Sequence, residues 1–104
     1  MAGMGTWEPA TPEKFRRYLD TGIAELSPDD LRLYERYRVD PVLIFINRPR
    51  TDGTEKVYVV ARKVDRVIVF EDIEDQFAIG TLVAEDRVEM SGWFDSLGWA
   101  IRAL

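Results

Sequence analysis

The densest apolar stretch in the chain is Val42-Leu43-Ile44-Phe45-Ile46, five large hydrophobic residues between a proline and the polar segment Asn47-Arg48-Pro49-Arg50. It is too short for a core helix and rich in β-branched residues, so it predicts a strand buried on both faces. Full burial of five such side chains contributes roughly 8–15 kcal/mol before chain entropy is set against it. Further apolar stretches follow at 57–61, 67–70 and 77–83, with a shorter one at 88–90. Asp52-Gly53, Val64-Asp65-Arg66 and Glu85-Asp86 suit turns, and no link between these stretches is long enough for a crossover helix. The pattern predicts an antiparallel meander of four or five strands.

Helical spacing flanks this region. Thr11-Pro12-Glu13 combines an N-cap, a proline for the first turn and an acid that the helix dipole favours. Phe15, Tyr18, Leu19, Ile23 and Leu26 follow on one face, with Gly22 a candidate early stop. Ser27-Pro28-Asp29-Asp30 starts a second helix by the same logic, with Leu31, Leu33, Tyr34 and Tyr37 on its apolar side. Asp40 before Pro41 ends it. Near the C-terminus, Trp93, Leu97, Ala100, Ile101 and Leu104 define one face of a closing helix, which places Trp93 in the core. Ser91 and Asp95 are its candidate caps. The expected fold class is α+β: two N-terminal helices, a four- to five-stranded antiparallel meander sheet and one C-terminal helix. Residues 1–10 read as a flexible arm and residues 11–104 as a single domain.

The sheet has more apolar surface than three short helices on one side cover. In 77–83, Phe77, Ile79 and Val83 alternate with Ala78, Gly80 and Leu82, and the two small residues let another surface approach closely. Either the helices divide between the faces or a second copy packs there. This excess predicts a homo-oligomer, with a two-fold dimer the first choice.

Composition narrows the chemistry. With 46% hydrophobic and 32% charged residues the 104-residue chain is that of a soluble globular protein. No apolar run approaches the ~20 residues of a membrane span, so no membrane partner and a cytoplasmic location are expected. The chain contains neither cysteine nor histidine. Disulfides, thiolate nucleophiles, zinc fingers and imidazole triads are thereby excluded, and no metal or cofactor is expected. The net charge of −5 argues against nucleic acid as a partner. Residues 1–66 carry 12 basic and 11 acidic side chains, net +1, whereas residues 67–104 carry 2 and 8, net −6. A basic partner would be drawn to the C-terminal part.

A meander brings alternate turns to one edge, setting Arg48, Arg50, Asp52 and Lys56 beside Glu71, Asp72, Glu74 and Asp75. Such an edge supports either a pocket where arginines fix an anion and a carboxylate acts as base, or two solvated loops whose ion pairs contribute ~0–1 kcal/mol each. The acidic run lacks the spacing and the central glycine of an EF-hand loop. Trp99 and Phe94, with Tyr58, are candidates for an aromatic-lined pocket between helices and sheet or at a dimer interface, which would also involve Ala78, Gly80 and Leu82. Gly98, beside Trp99, costs ~1 kcal/mol in a helix interior and signals close packing. Tyr34, Tyr37, Arg36 and Arg38 read as the boundary of a helix lying on a sheet.

Three functions follow from these residues. The first is a non-enzymatic interaction or regulatory protein, of an acidic inhibitor or accessory type, with a heterologous protein partner. The second is a small-molecule-binding protein. The third is an enzyme with Asp72 or Glu74 as base and Arg48 or Arg50 as electrostatic stabiliser. No residue of the chain forms a recognisable catalytic motif.

Overall fold

Thr11-Pro12 and Ser27-Pro28 both open helices, as their order predicts. The computed structural model of the chain describes residues 11–47, 55–71 and 76–104. The expectations that rest on residues 1–10, on Arg48, Arg50 and Asp52-Gly53, and on Asp72, Glu74 and Asp75 lie outside the described residues. Helix α1 spans Pro12–Ala24, and the Thr11 hydroxyl accepts a hydrogen bond from the Lys14 backbone N–H at 3.2 Å. It continues through Gly22 and does not stop there. Helix α2 spans Pro28–Tyr37, and the Ser27 hydroxyl accepts from the Asp30 N–H at 3.2 Å. These caps satisfy N–H groups that the first turn of a helix leaves without partners.

The chain passes from α2 directly into β1 (Arg38–Ile46), so the strand starts ahead of its apolar run and includes Asp40-Pro41. Strands β2 (Lys56–Lys63), β3 (Arg66–Glu71), β4 (Gln76–Ala84) and β5 (Arg87–Phe94) follow, and α3 (Leu97–Ala103) closes the chain. The class is α+β with an antiparallel meander, as expected.

The sheet closes on itself into a barrel of order β1-β2-β3-β4-β5. Five strands that reverse direction at every turn leave the first and last running the same way. A meander of five can therefore close only through a parallel pair, here Phe45 opposite Arg87 and Ile46 opposite Val88. The Phe45 N–H donates to the Asp86 carbonyl and the Asn47 N–H to the Val88 carbonyl, both at 2.7 Å. Closure demands strong curvature, which extra unpaired residues provide. Register shifts fall between Arg38 and Val42 in β1, between Val59 and Ala61 in β2, and twice between β4 and β5. Ser91 is the extra residue at one of these, and its hydroxyl donates to the Ile79 carbonyl at 3.1 Å.

Two cores result, one on each side of the barrel wall. Ile44, Ile46, Val57, Val59, Val67, Val69, Ala78 and Val88 fill the inside. On the outside, Phe15 and Leu19 of α1, Tyr34 of α2, and Leu97, Ala100 and Ile101 of α3 cover Ile68, Phe70, Phe77 and Ile79. Val60 and Ala61, although adjacent, both belong to this outer core, because the β2 bulge between them and Val59 breaks the alternation.

The structure corrects the sequence expectations for the Val42–Ile46 strand, for Trp93 and for the caps of the closing helix. The Val42–Ile46 run is not buried on both faces: Val42 is 53% exposed, and only Ile44 and Ile46 are buried. Phe45 is half-buried, with Lys56 Nζ 4.9 Å and the Arg87 guanidinium 5.2 Å from its ring centre. The strands covered on both faces are β3, where every residue from Val67 to Phe70 is buried, and the first half of β4, where Phe77 to Gly80 are buried. The second sheet face is occupied by the chain itself, lining the barrel, which removes the observation that pointed to a second copy. Trp93 belongs to β5, opposite Ala78, and is 50% exposed. Pairing with β4 continues to Phe94, so the closing helix starts later, capped by Ser96 and not by Ser91 or Asp95.

The β2–β3 hairpin turns through Val64, whose φ of 58° is unusual for a β-branched residue. The Arg62 Nε–H donates to the Val64 carbonyl at 2.7 Å and ties this tip together. Among the described residues, no helix is long and apolar enough to cross a membrane.

Candidate functional site

Where α1, the start of α2 and α3 converge over Phe77, they leave a cleft of about 380 Å³. One wall is the face of α1 carrying Tyr18 and Thr21, spaced so that they stack along one side of a helix, with Glu25 at its C-cap. Opposite stand Trp99 and Arg102, three residues apart on α3 and hence on a common face. Asp30 from the first turn of α2, with Asp95 and Ser96 from the β5–α3 turn, completes the lining.

The centre of this arrangement is an ion pair between residues 72 positions apart. Arg102 Nε donates to both carboxylate oxygens of Asp30 at 2.9 and 3.1 Å, and Nη2 donates to Oδ2 at 2.7 Å. Asp30 is only 5% exposed, while the Arg102 side chain remains half exposed. Such forked geometry fixes the guanidinium plane, which lies 5.2 Å from the centre of the Trp99 ring. Trp99 is 61% exposed and meets this guanidinium with one ring face. Gly98 eases the approach of α3 to α2: a Cβ there would lie 3.3 Å from Asp30 Oδ2, closer than most such contacts. The packing that this glycine signals is against the buried carboxylate.

Hydrogen bonds from Arg102, aided by Ser27, hold the Asp30 carboxyl below its ordinary range against the opposing effect of burial. Asp30 in return raises the Arg102 guanidinium. A depressed carboxyl contributes stability above its unfolded pKa, about 3.9, and loses it as the pH falls through the folded value. Asp30→Asn should therefore lower the melting temperature at pH 7, and the gap to wild type should close below about pH 4. A gap of constant size from pH 7 to pH 3, read by thermal unfolding, would contradict this role.

Glu25 and Asp95 differ from Asp30. Both are exposed, and neither carboxylate makes a hydrogen bond or ion pair among the described residues. With Asp30 and Arg102 neutralising each other, the cleft keeps an excess of two negative charges. Among the described residues, no group of three or more acidic side chains is placed to hold a metal ion.

Among the described residues that the sequence offers as pocket or interface candidates, only Trp99 lines this cleft. Phe94 is half-buried opposite Phe77, packed against the outer core. Tyr58 stacks on Phe15 with ring centres 4.0 Å apart and planes within 10°. Ala78 and Leu82 belong to the inner core. The close approach that Gly80 permits is made by Val88 and Glu89 of the same chain. Arg48, Arg50, Asp72, Glu74 and Asp75 lie outside the described residues, and of that edge Glu71 is buried at the end of β3. Tyr18, Glu25, Asp30, Asp95 and Arg102 were not singled out as site residues. The one available signal was Arg102 itself, one of two cations in the last 38 residues and one helical turn beyond Trp99.

Comparison with known families, with curated proteins and with solved structures found no match to this chain. The fold and the cleft define a five-stranded barrel carrying a three-helix layer with a charged, aromatic-rimmed groove.

Proposed function

We propose that this is a non-enzymatic interaction protein that recognises its partner through the cleft between α1, α2 and α3. The observation that carries the reading is Trp99, a large aromatic that meets the Arg102 guanidinium yet is mostly open to solvent at the rim of the cleft. Exposed tryptophans beside a cavity are favoured as binding hot spots, because covering one removes a large aromatic surface from water. The test is selection of displayed random peptides on the wild-type protein, followed by measurement of each on Trp99→Ala. Enriched peptides should lose at least tenfold in affinity on that variant, whose fold is checked by circular dichroism. Peptides indifferent to the substitution, or no enrichment, would overturn the reading.

A small-molecule ligand is the second reading, favoured by the cleft volume, which falls in the lower range of such sites. Since the apolar second face of the sheet lines the barrel, the interaction reading calls for a heterologous partner and does not need a dimer.

A further inference from the structure

We infer that the partner group received by the cleft is a cationic side chain, a lysine or an arginine presented by a protein segment; this rests on the interaction reading above and names its chemistry. Two features support it together. The first is the charge balance: Asp30 and Arg102 satisfy each other in a bidentate pair, which leaves Glu25 and Asp95 as the uncompensated charges of the lining. The second is the aromatic rim. Trp99 is more than half exposed and Tyr18 also lines the cleft; each ring already meets one cation of the chain, Arg102 at 5.2 Å and Lys14 at 5.9 Å from the ring centres, as an aromatic face attracts positive charge. The long apolar stem of lysine or arginine also suits a wall formed by Phe77, Leu97 and the ring faces.

An anionic group is disfavoured by the same accounting. Two of the three donor atoms of Arg102 are committed to Asp30, and an incoming carboxylate or phosphate would meet Glu25 and Asp95.

The test is a two-dimensional NMR titration of the labelled protein with N-acetyl Gly-Xaa-Gly amides, where Xaa is Arg, Lys, Leu or Glu. Free ethylguanidinium is titrated alongside. The Arg or Lys peptide should move the Trp99 indole resonance and bind at least tenfold more tightly than the Leu and Glu peptides. The preference should weaken with added salt and disappear in the Glu25→Gln, Asp95→Asn double variant, two exposed substitutions that leave the Asp30–Arg102 pair intact. Leu or Glu peptides that move Trp99 as strongly as Arg and Lys would overturn the cationic assignment while leaving the cleft as an interaction site. Ethylguanidinium binding as tightly as the peptides would overturn the protein source. No response of Trp99 to any peptide would overturn both this inference and the interaction reading.

Discussion

Phe70→Ala is expected to cost about 3–5 kcal/mol of folding stability, the usual range for removing a buried aromatic ring. Phe70 is 1% exposed and the largest of the fully buried side chains. Its ring sits where α1 meets the barrel wall, 5.8 Å from Phe15, 5.4 Å from Tyr18 and 5.7 Å from Phe77, measured between centres. The cavity left by alanine would be flanked by the bases of β2 and β4, which pair with Phe70 through Tyr58 and Phe77 and cannot collapse inward without breaking the ladder. Domains of this size are stable by only about 5–15 kcal/mol, so the loss is a large fraction of the whole. Urea unfolding followed by circular dichroism should show a lower midpoint at an unchanged slope. Val42→Ala, at an exposed position, serves as control. A cost below about 1.5 kcal/mol would mean that the helical layer and the barrel are not joined through this ring. Because Tyr18 lines the cleft and packs on Phe70, the same substitution is also expected to weaken peptide binding.

Gly80→Ala is the second large effect, and it tests the inside of the barrel. A Cβ on Gly80 would lie 2.4 Å from Val88 Cγ2 and 2.7 Å from the Glu89 carbonyl oxygen. The valine methyl can move aside, but the carbonyl belongs to the backbone of β5 and cannot. This contact adjoins the register shift between Ile79 and Gly80, where β5 carries the extra residue Ser91. The strands come this close because β5 must bend to meet β1. Overpacking of this kind costs typically 1–3 kcal/mol and occasionally more. Alanine at this position should lower the urea midpoint, whereas Thr81→Ala next to it, on a half-buried side chain, should change it much less. Equal stability of Gly80→Ala and wild type would contradict the closed geometry of the barrel.

The positions that were legible from sequence share one property: they depend on neighbours a few residues away. Thr11-Pro12 and Ser27-Pro28 announce helices because a hydroxyl oxygen can reach an N–H three residues on, and proline suits the first turn. The apolar stretches at 57–61, 67–70 and 77–83 announce strands, and the short links force neighbouring strands to be antiparallel. Gly98 signalled close packing before its contact was known.

What depended on distant residues was not legible. Excess apolar surface on a sheet can be covered by another chain or by the sheet curling on itself, and the two solutions place the same demands on the hydrophobic pattern. Here the curvature comes from single extra residues, such as Val60 and Ser91, that leave almost no mark on composition. Trp93 satisfied the periodicity of a helix face, but backbone pairing with β4 continued through it and left it half exposed.

The candidate site shows the same division. Trp99 stood out by being an aromatic away from the apolar face of its helix. Asp30 and Arg102 looked like an ordinary first-turn acid and last-turn base, each favoured by the helix dipole where it stands. Local sequence determined the helices, the strands and their alternating directions, because caps, turns and periodicity act within a few residues. Tertiary structure alone decided that the sheet closes, which strands are covered on both sides, and that a buried carboxylate meets a guanidinium 72 residues away beside the tryptophan at the mouth of a cleft.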